Sequence, residues 1–372
     1  MNTIRVLVVE DSDMVAEILI QALESDRHIK VAGRAANGRE ALELLPRLKP
    51  DLITMDVWMP IMDGFQTVAR IMETNPTPIL VVTSTNLKED VQLSLRMIAA
   101  GALDVIEKPT MSAWNMWAHQ KKELVTKVRL LAGIKTYTKT SPLKPRSEIA
   151  ETKPDYVIAN AEPIKNNFRL NKAPVHEDYQ YQIVAMASST GGPTALLKIL
   201  AALSPDLPIP FIVVQHISEG FTRELVEWLN REVALEVRVA KDGELLESGV
   251  VLFSPDRYNI KVTQGRRVSL NAAGKVVLCP NADILMQSVA ENYGNRGIGV
   301  ILTGMGGDGA KGLSSMHAAG AYTLAQDEAT SLIYGMPKAA FAAGAVREVL
   351  PLESIAPRLT VLSRQLLRRT NL

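Results

Sequence analysis

The chain has 372 residues, more than one typical core accommodates, and at roughly 150 residues per domain it should form two or three compact units. Its 41 Lys and Arg balance 40 Asp and Glu, which excludes a molecule-wide field steering it to nucleic acid or an anionic membrane. A single cysteine, Cys279, excludes an internal disulfide framework and, with no motif around it, reads as a small buried hydrophobe in a reducing compartment.

The N-terminal MNTIRVLVVEDSD turns acidic directly after a short apolar run, unlike a signal peptide. No stretch approaches the roughly 20 apolar residues of a membrane helix, so a soluble, cytoplasmic protein with no membrane insertion is expected. Short β-branched runs then alternate with amphipathic ones: IRVLVVE, a helical stretch from Ser12, IKVAGRA, a helix around Glu40 to Leu48, DLITMD, PILVVTS, a helix near Lys88 to Ala100, and VIEK before Pro109. That rhythm predicts βαβ units and a parallel sheet covered on both faces, closing a first domain over residues 1–121. A helix over Lys121 to Leu131 leads into Lys135 to Pro174, which carries five prolines and eight Lys or Arg against four Asp or Glu. So polar a composition cannot bury enough surface to offset chain entropy, and residues 122–180 read as a helix and a flexible, mildly basic linker. Its basic residues are dispersed and carry no recognition motif, so no nucleic-acid partner is expected.

The alternation returns over residues 181–372: IVAMAS, the helical PTALLKILAAL, FIVVQH, a helix near Arg223 to Asn230, strand-like pieces around Val237, Val250 and Val276, and a helix at Asp283 to Tyr293. GIGVILT, a helix near Ala310 to Ala319 and a C-terminal helix complete it. The fold class is therefore α/β, with two doubly wound parallel-sheet domains.

In the first domain Glu10 and Asp11 end the first strand, Asp56 the third, Thr83 the fourth and Lys108 the fifth, positions that converge on one crevice in an open parallel sheet. Three carboxylates there repel unless a cation joins them, and a hard divalent ion such as Mg²⁺ suits oxygen donors and a phosphate. Phosphoryl transfer to a carboxylate needs little beyond positioning and charge neutralisation, which Lys108 could supply, while Thr83 could hydrogen-bond the product. Singly, each residue is as well explained as a helix cap or a solvated side chain. Together with D-V-W-M-P-I-M-D-G from Asp56 to Gly64 and Lys108-Pro109, they resemble the receiver domain of two-component response regulators, over residues 4 to about 121. The resemblance implies a flavodoxin-like fold, Asp56 as phosphoacceptor, Glu10, Asp11 and Asp56 around Mg²⁺, and Thr83 and Lys108 as phosphoryl sensors. Val105 stands where many receivers carry an aromatic reporter.

In the second domain Ser189 follows IVAMAS at a strand-to-helix turn, where helix N-terminal amides favour developing negative charge. His216 ends FIVVQ, and Asp308 lies in the glycine-rich Gly304-Met305-Gly306-Gly307-Asp308-Gly309 after GIGVILT. The three can form a nucleophile, base and orienting acid. Spacing alone leaves other readings open: His216 as a hydrogen-bonded strand-end residue, and the glycine run as a phosphate cradle without a P-loop lysine. The words A-S-S-T-G-G-P-T, V-V-Q-H-I-S-E-G-F-T, S-P-D-R-Y, G-V-I-L-T-G-M-G-G-D-G-A and E-A-T-S-L-I-Y-G-M-P-K-A-A, spanning residues 183 to about 345, resemble the CheB-type methylesterase domain of bacterial chemotaxis. That likeness implies a Rossmann-like hydrolase without a cofactor, with Ser189, His216 and Asp308 catalytic, the Met305 amide on the oxyanion and Thr190 beside the nucleophile. Ala187-Ser188 stands where the family usually has Gly-Ala, and Gly307 where it often has Asn. The implied activity is hydrolysis of γ-glutamyl methyl esters on methyl-accepting chemotaxis receptors, with deamidation of receptor glutamines, and the implied phosphodonor is the chemotaxis histidine kinase. A phospho-regulated receptor-binding protein with a non-catalytic second domain, or a DNA-binding regulator, are the rivals; the second lacks a helix-turn-helix pattern.

Overall fold

The computed structural model describes residues 3–83, 88–108, 114–134, 180–273 and 279–365. The basic linker at Lys135 to Pro174 and the strand-like piece around Val276 lie outside the described residues. The first body alternates β1 (Ile4–Val9), α1 (Asp13–Glu24), β2 (Ile29–Ala35), α2 (Gly38–Leu48), β3 (Leu52–Met55), α3 (Gly64–Thr74), β4 (Ile79–Thr83), α4 (Lys88–Ala100), β5 (Asp104–Glu107) and α5 (Trp114–Leu131). Every strand pairing is parallel, in the order β2-β1-β3-β4-β5. Helices on both faces explain why Val6–Val9, β3 and β4 are buried along their whole lengths instead of alternating. Three helices begin with polar caps that reverse the chain at once: Ser12 accepts from the Val15 amide, Asn37 from Glu40 and Asp63 from Gln66. Residues 122–131, which composition set apart from the first domain, are the end of α5. Leu124, Val128 and Leu131 are fully buried in the same cluster as Val6, Val8 and Ile106, so apolar spacing outweighs the charged face that made the segment look peripheral.

The second body runs β6 (Ile183–Ser188), α6 (Gly192–Ala201), β7 (Phe211–Gln215), α7 (Thr222–Glu232), β8 (Glu236–Val239), β9 (Val250–Phe253), β10 (Tyr258–Val262), β11 (Val268–Ala272), α8 (Ala282–Tyr293), β12 (Gly297–Ile301), α9 (Ala310–Ala318), β13 (Tyr322–Gln326), α10 (Met336–Ala342), β14 (Glu348–Leu350) and α11 (Leu352–Ser363). Seven strands form one parallel sheet in the order β14-β13-β12-β6-β7-β9-β8, and β10 pairs with β11 in a separate antiparallel hairpin. The chain leaves β6 toward β7 on one side and returns later to β12 on the other. A crevice opens at the carboxyl ends of strands where the order reverses in this way.

Between the two bodies α4 packs against α7 and α6. Leu332 and Ile333, from the loop between β13 and α10, pack against the apolar cluster of the first body. No helix among the described residues is long and apolar enough to cross a membrane.

Candidate functional site

In the first body, the turn after β1 carries Glu10 and Asp11 and the turn after β3 carries Asp56, so the two strands that meet at the order reversal deliver the acids. One oxygen from each of the three lies within 4.8 Å of the others. Lys108 reaches in from the end of β5, its Nζ 2.9 Å from both Glu10 Oε2 and Asp56 Oδ2. Its amide donates to the Thr83 carbonyl at 2.7 Å, which ties the two residues expected to sense phosphate to each other. Thr83 is buried at the end of β4, and Asp11 is exposed at the mouth. Burial, then the neighbouring Asp56 charge, push the Glu10 pKa up to about 7 despite Lys108. Burial also raises Asp56, against the opposing pull of Lys108 and the Val57 amide. For Lys108, burial alone would lower the pKa, but the Asp56 and Glu10 carboxylates outweigh it and the net shift is upward. One lysine thus leaves the acids under-neutralised. Glu10 Oε2 is buried without an aligned hydrogen-bond donor, and every free ligand atom is a hard oxygen. The residues fit a Mg²⁺-sized cation.

This electrostatic debt has a measurable sign. Between pH 4.5 and about 7 the folded Glu10 holds a proton that the unfolded chain releases, so rising pH removes stability, by up to about 3 kcal/mol. In EDTA, thermal unfolding from pH 5 to 8 should fall more steeply for the wild type than for Glu10→Gln, and Mg²⁺ should raise the midpoint only in the wild type at the upper end. Parallel pH curves for the two proteins would contradict this account.

Val105, in the position of an aromatic reporter, is fully buried in β5.

In the second body, Ser189, His216 and Asp308 follow β6, β7 and β12, three adjacent strands with β6 in the middle. His216 Nε2 lies 2.9 Å from Asp308 Oδ2. The ring N–H departs from the line of contact, a looseness common in catalytic contacts before substrate arrives. Backbone amides also donate to the Asp308 carboxylate: Ala282 N to Oδ2 at 2.7 Å and Asp283 N to Oδ1 at 3.1 Å, at the first turn of α8. Burial raises the Asp308 pKa, but contact with His216 and these two amides outweighs it and leaves the carboxyl below its usual range. The acid is therefore ionised and fixed in direction, able to hold an imidazolium.

Ser189 is anchored through its own backbone groups: its amide donates to Thr303 O at 3.0 Å and its carbonyl accepts from Gly192 N at 2.7 Å. Residue 304 must be glycine, because a Cβ there would come within 2.7 Å of Ser189 Cβ. Gly191, at φ +79, lets the chain enter α6 directly after the serine while lying against Leu332. Thr190 is buried, its carbonyl accepting from Thr303 Oγ1 at 3.0 Å. Met305 is 43% exposed, and its amide donates to no described residue, leaving a free N–H beside the serine turn. Asp256 of the S-P-D-R-Y word braces the loop after His216, accepting from Gly220 N at 3.0 Å and Thr222 Oγ1 at 2.5 Å.

Sequence reasoning did not single out Gln215 or the amides that hold Asp308. Gln215, at the end of an apolar run, donates from Nε2 to Ser189 O at 2.9 Å and to His216 O at 2.8 Å. The only signal was its place next to the histidine.

Comparison with known proteins agrees in extent and order. The CheB methylesterase family matches residues 184–359, and the response regulator receiver domain family matches residues 6–114. A Syntrophus aciditrophicus protein named protein-glutamate methylesterase/protein-glutamine glutaminase 1 is 40% identical over 362 residues, covering 95% of this chain and 96% of the relative. The chain belongs to the CheB methylesterase family. A second CheB-type relative, protein-glutamate methylesterase/protein-glutamine glutaminase 3 of Hahella chejuensis, is 37% identical, covering 97% of this chain and 99% of that protein. The crystal structure of the Thermotoga maritima CheB methylesterase catalytic domain matches at 36% identity and a TM-score of 0.47, covering 49% of this chain and 98% of that one. The first body of this CheB-family protein is thus a response regulator receiver domain.

Proposed function

We propose that this chain is a response regulator and protein-glutamate methylesterase of chemotaxis that hydrolyses γ-glutamyl methyl esters on receptors and deamidates receptor glutamines. The observation that carries the reading is the 2.9 Å approach of His216 Nε2 to an amide-anchored Asp308, in the loops that follow the two strands flanking β6, the strand that leads into Ser189. With Nε2 toward the acid, the opposite ring nitrogen is left to take the Ser189 hydroxyl proton as Oγ attacks the ester carbonyl. The Met305 amide stabilises the oxyanion, a contribution of roughly 3 kcal/mol for a preorganised donor. Collapse of the tetrahedral intermediate transfers the imidazolium proton to the leaving methoxide, releasing methanol and leaving an acyl-serine. Water, deprotonated by His216, then cleaves the acyl-serine to give glutamate and restore the hydroxyl. A glutamine side chain follows the same course with ammonia as leaving group.

Asp56 is the proposed phosphoacceptor, with a chemotaxis histidine kinase as donor. Mg²⁺ held by Glu10, Asp11 and Asp56 would neutralise charge on the transferring group. Lys108 pairs with the product and Thr83 hydrogen-bonds it. The unmodified receiver covers the hydrolase: α4 lies on α7 and α6, and Leu332 touches both the receiver cluster and the Gly191 turn. An acyl-phosphate adds nearly two negative charges, enough to rearrange such a contact.

The test is methanol release from methylated receptor membranes with and without a small-molecule phosphodonor. Stimulation of about 5- to 150-fold, the usual range of allosteric coupling, is expected for the wild type and none for Asp56→Asn. Equal stimulation of both proteins would refute control through Asp56.

A further inference from the structure

Gln215 is 4% exposed, and its side-chain amide is fully engaged. Oε1 accepts the Ser188 hydroxyl at 2.6 Å, while Nε2 donates to the carbonyl of Ser189 at 2.9 Å and to that of His216 at 2.8 Å. One planar group therefore grips the main chain of both the nucleophile and the base. The Ser189 carbonyl already accepts from Gly192 N, so satisfying it does not require the glutamine. Space for the grip depends on Gly192, where a Cβ would collide with Gln215 Oε1.

We propose that Gln215, oriented by Ser188, is a positioning residue that fixes the separation of Ser189 and His216. The proposal rests on the reading of these two residues as nucleophile and base. A rigid amide bridging two carbonyls prevents the β6 and β7 turns from drifting apart, and proton transfer between their side chains is sensitive to displacements well below 1 Å. Ser188 selects the working orientation: with the hydroxyl donating to Oε1, both N–H groups must face the carbonyls, whereas the flipped amide would aim oxygen at oxygen.

The experiment uses the full chain with phosphodonor and compares wild type, Ser188→Ala, Gln215→Leu, Gln215→Glu and the Ser188→Ala/Gln215→Leu pair. Three quantities are read: kcat and KM for methanol release, the rate constant for labelling Ser189 with a fluorophosphonate, and the unfolding midpoint. Labelling forms an Oγ–P bond, expels fluoride and passes the hydroxyl proton to His216, so it reports the pair without a receptor. Gln215→Leu should lower kcat and the labelling rate by about 100-fold with little change in KM, the cost of an ångström-scale misplacement. Ser188→Ala should slow both rates in the wild-type background and add nothing to Gln215→Leu. The rate of Gln215→Glu relative to wild type should rise as pH falls and the new carboxyl gains the proton it needs to donate. Should Gln215→Leu fail to fold, Ser188→Ala and the pH dependence of Gln215→Glu decide the matter. Unchanged kcat and labelling rate per folded molecule, or a Ser188→Ala effect of equal size in both backgrounds, would overturn the proposal. A wild type that labels at Ser189 yet releases no methanol would remove the methylesterase reading while the labelling series still tests the positioning role.

Discussion

Ser189→Ala is expected to lower methanol release by about 10⁴-fold or more, the usual cost of losing the nucleophile from a unit that acts together. The fold should be almost untouched. Ser189 is held through its amide to Thr303 O and through its carbonyl to Gly192 N and Gln215 Nε2, and none of these contacts uses Oγ. The melting midpoint should therefore move by no more than an ordinary surface change, within about 0.5 kcal/mol. Residual activity should come from the oxyanion donor and substrate binding alone and should not respond to His216 replacement. If Ser189→Ala and wild type, both phosphorylated, release methanol at equal rates, the second body is not a serine hydrolase.

The second large effect belongs to Asp308, and here rate and stability part company. The carboxylate lies against His216 and also accepts two amides at the start of α8, so it combines the proposed support of the base with a helix anchor. Asp308→Ala should lose about 10⁴-fold in rate and, with two amides orphaned, about 1–3 kcal/mol of stability. Asp308→Asn should lose a similar factor in rate, because a neutral amide cannot hold the imidazolium, yet recover part of the stability through its remaining acceptor. The sign with pH follows from the lowered pKa: the stability Asp308 contributes is complete above the unfolded value near 3.8 and disappears as pH falls through its lower folded value. The gap in unfolding free energy between wild type and Asp308→Asn should close in strong acid, as the Asp308 carboxylate takes up its proton. A gap that instead opens on acidification would mean that the carboxyl is not held as an anion.

Much of this was legible in the sequence because parallel sheets put chemistry at strand ends. Apolar runs such as VLVV, LITM and IVAMAS mark strands by β-branching, and the first polar residue after each lands at the carboxyl edge by construction. Glu10 and Asp56 could be named that way, whereas Ser189 and His216 each stand one residue beyond the first polar residue, Ser188 and Gln215, and were singled out by their chemistry. Lateral strand order could not: nothing local in GIGVI says that β12 sits beside β6 and not beyond β9. The antiparallel β10–β11 hairpin and the short strands β13 and β14 were also not separated, since a strand such as Glu348–Leu350 is too brief for any period to register. The support of the site was equally hidden. Gln215 looks like the polar end of a strand until β6 is laid beside β7, and the anchoring of Asp308 by Ala282 and Asp283 joins segments far apart in the chain.

The position of β12 between β6 and β13 also bears on synthesis. A nascent chain that has not reached Gly297 possesses β6 and β7 but leaves the far side of IVAMAS without a partner, an open apolar edge of the kind that invites intermolecular pairing. The strand that seals this edge is followed directly by the turn bearing Met305 and Asp308. A truncated chain ending before β12 should therefore be aggregation-prone and should also lack the acid proposed to support His216.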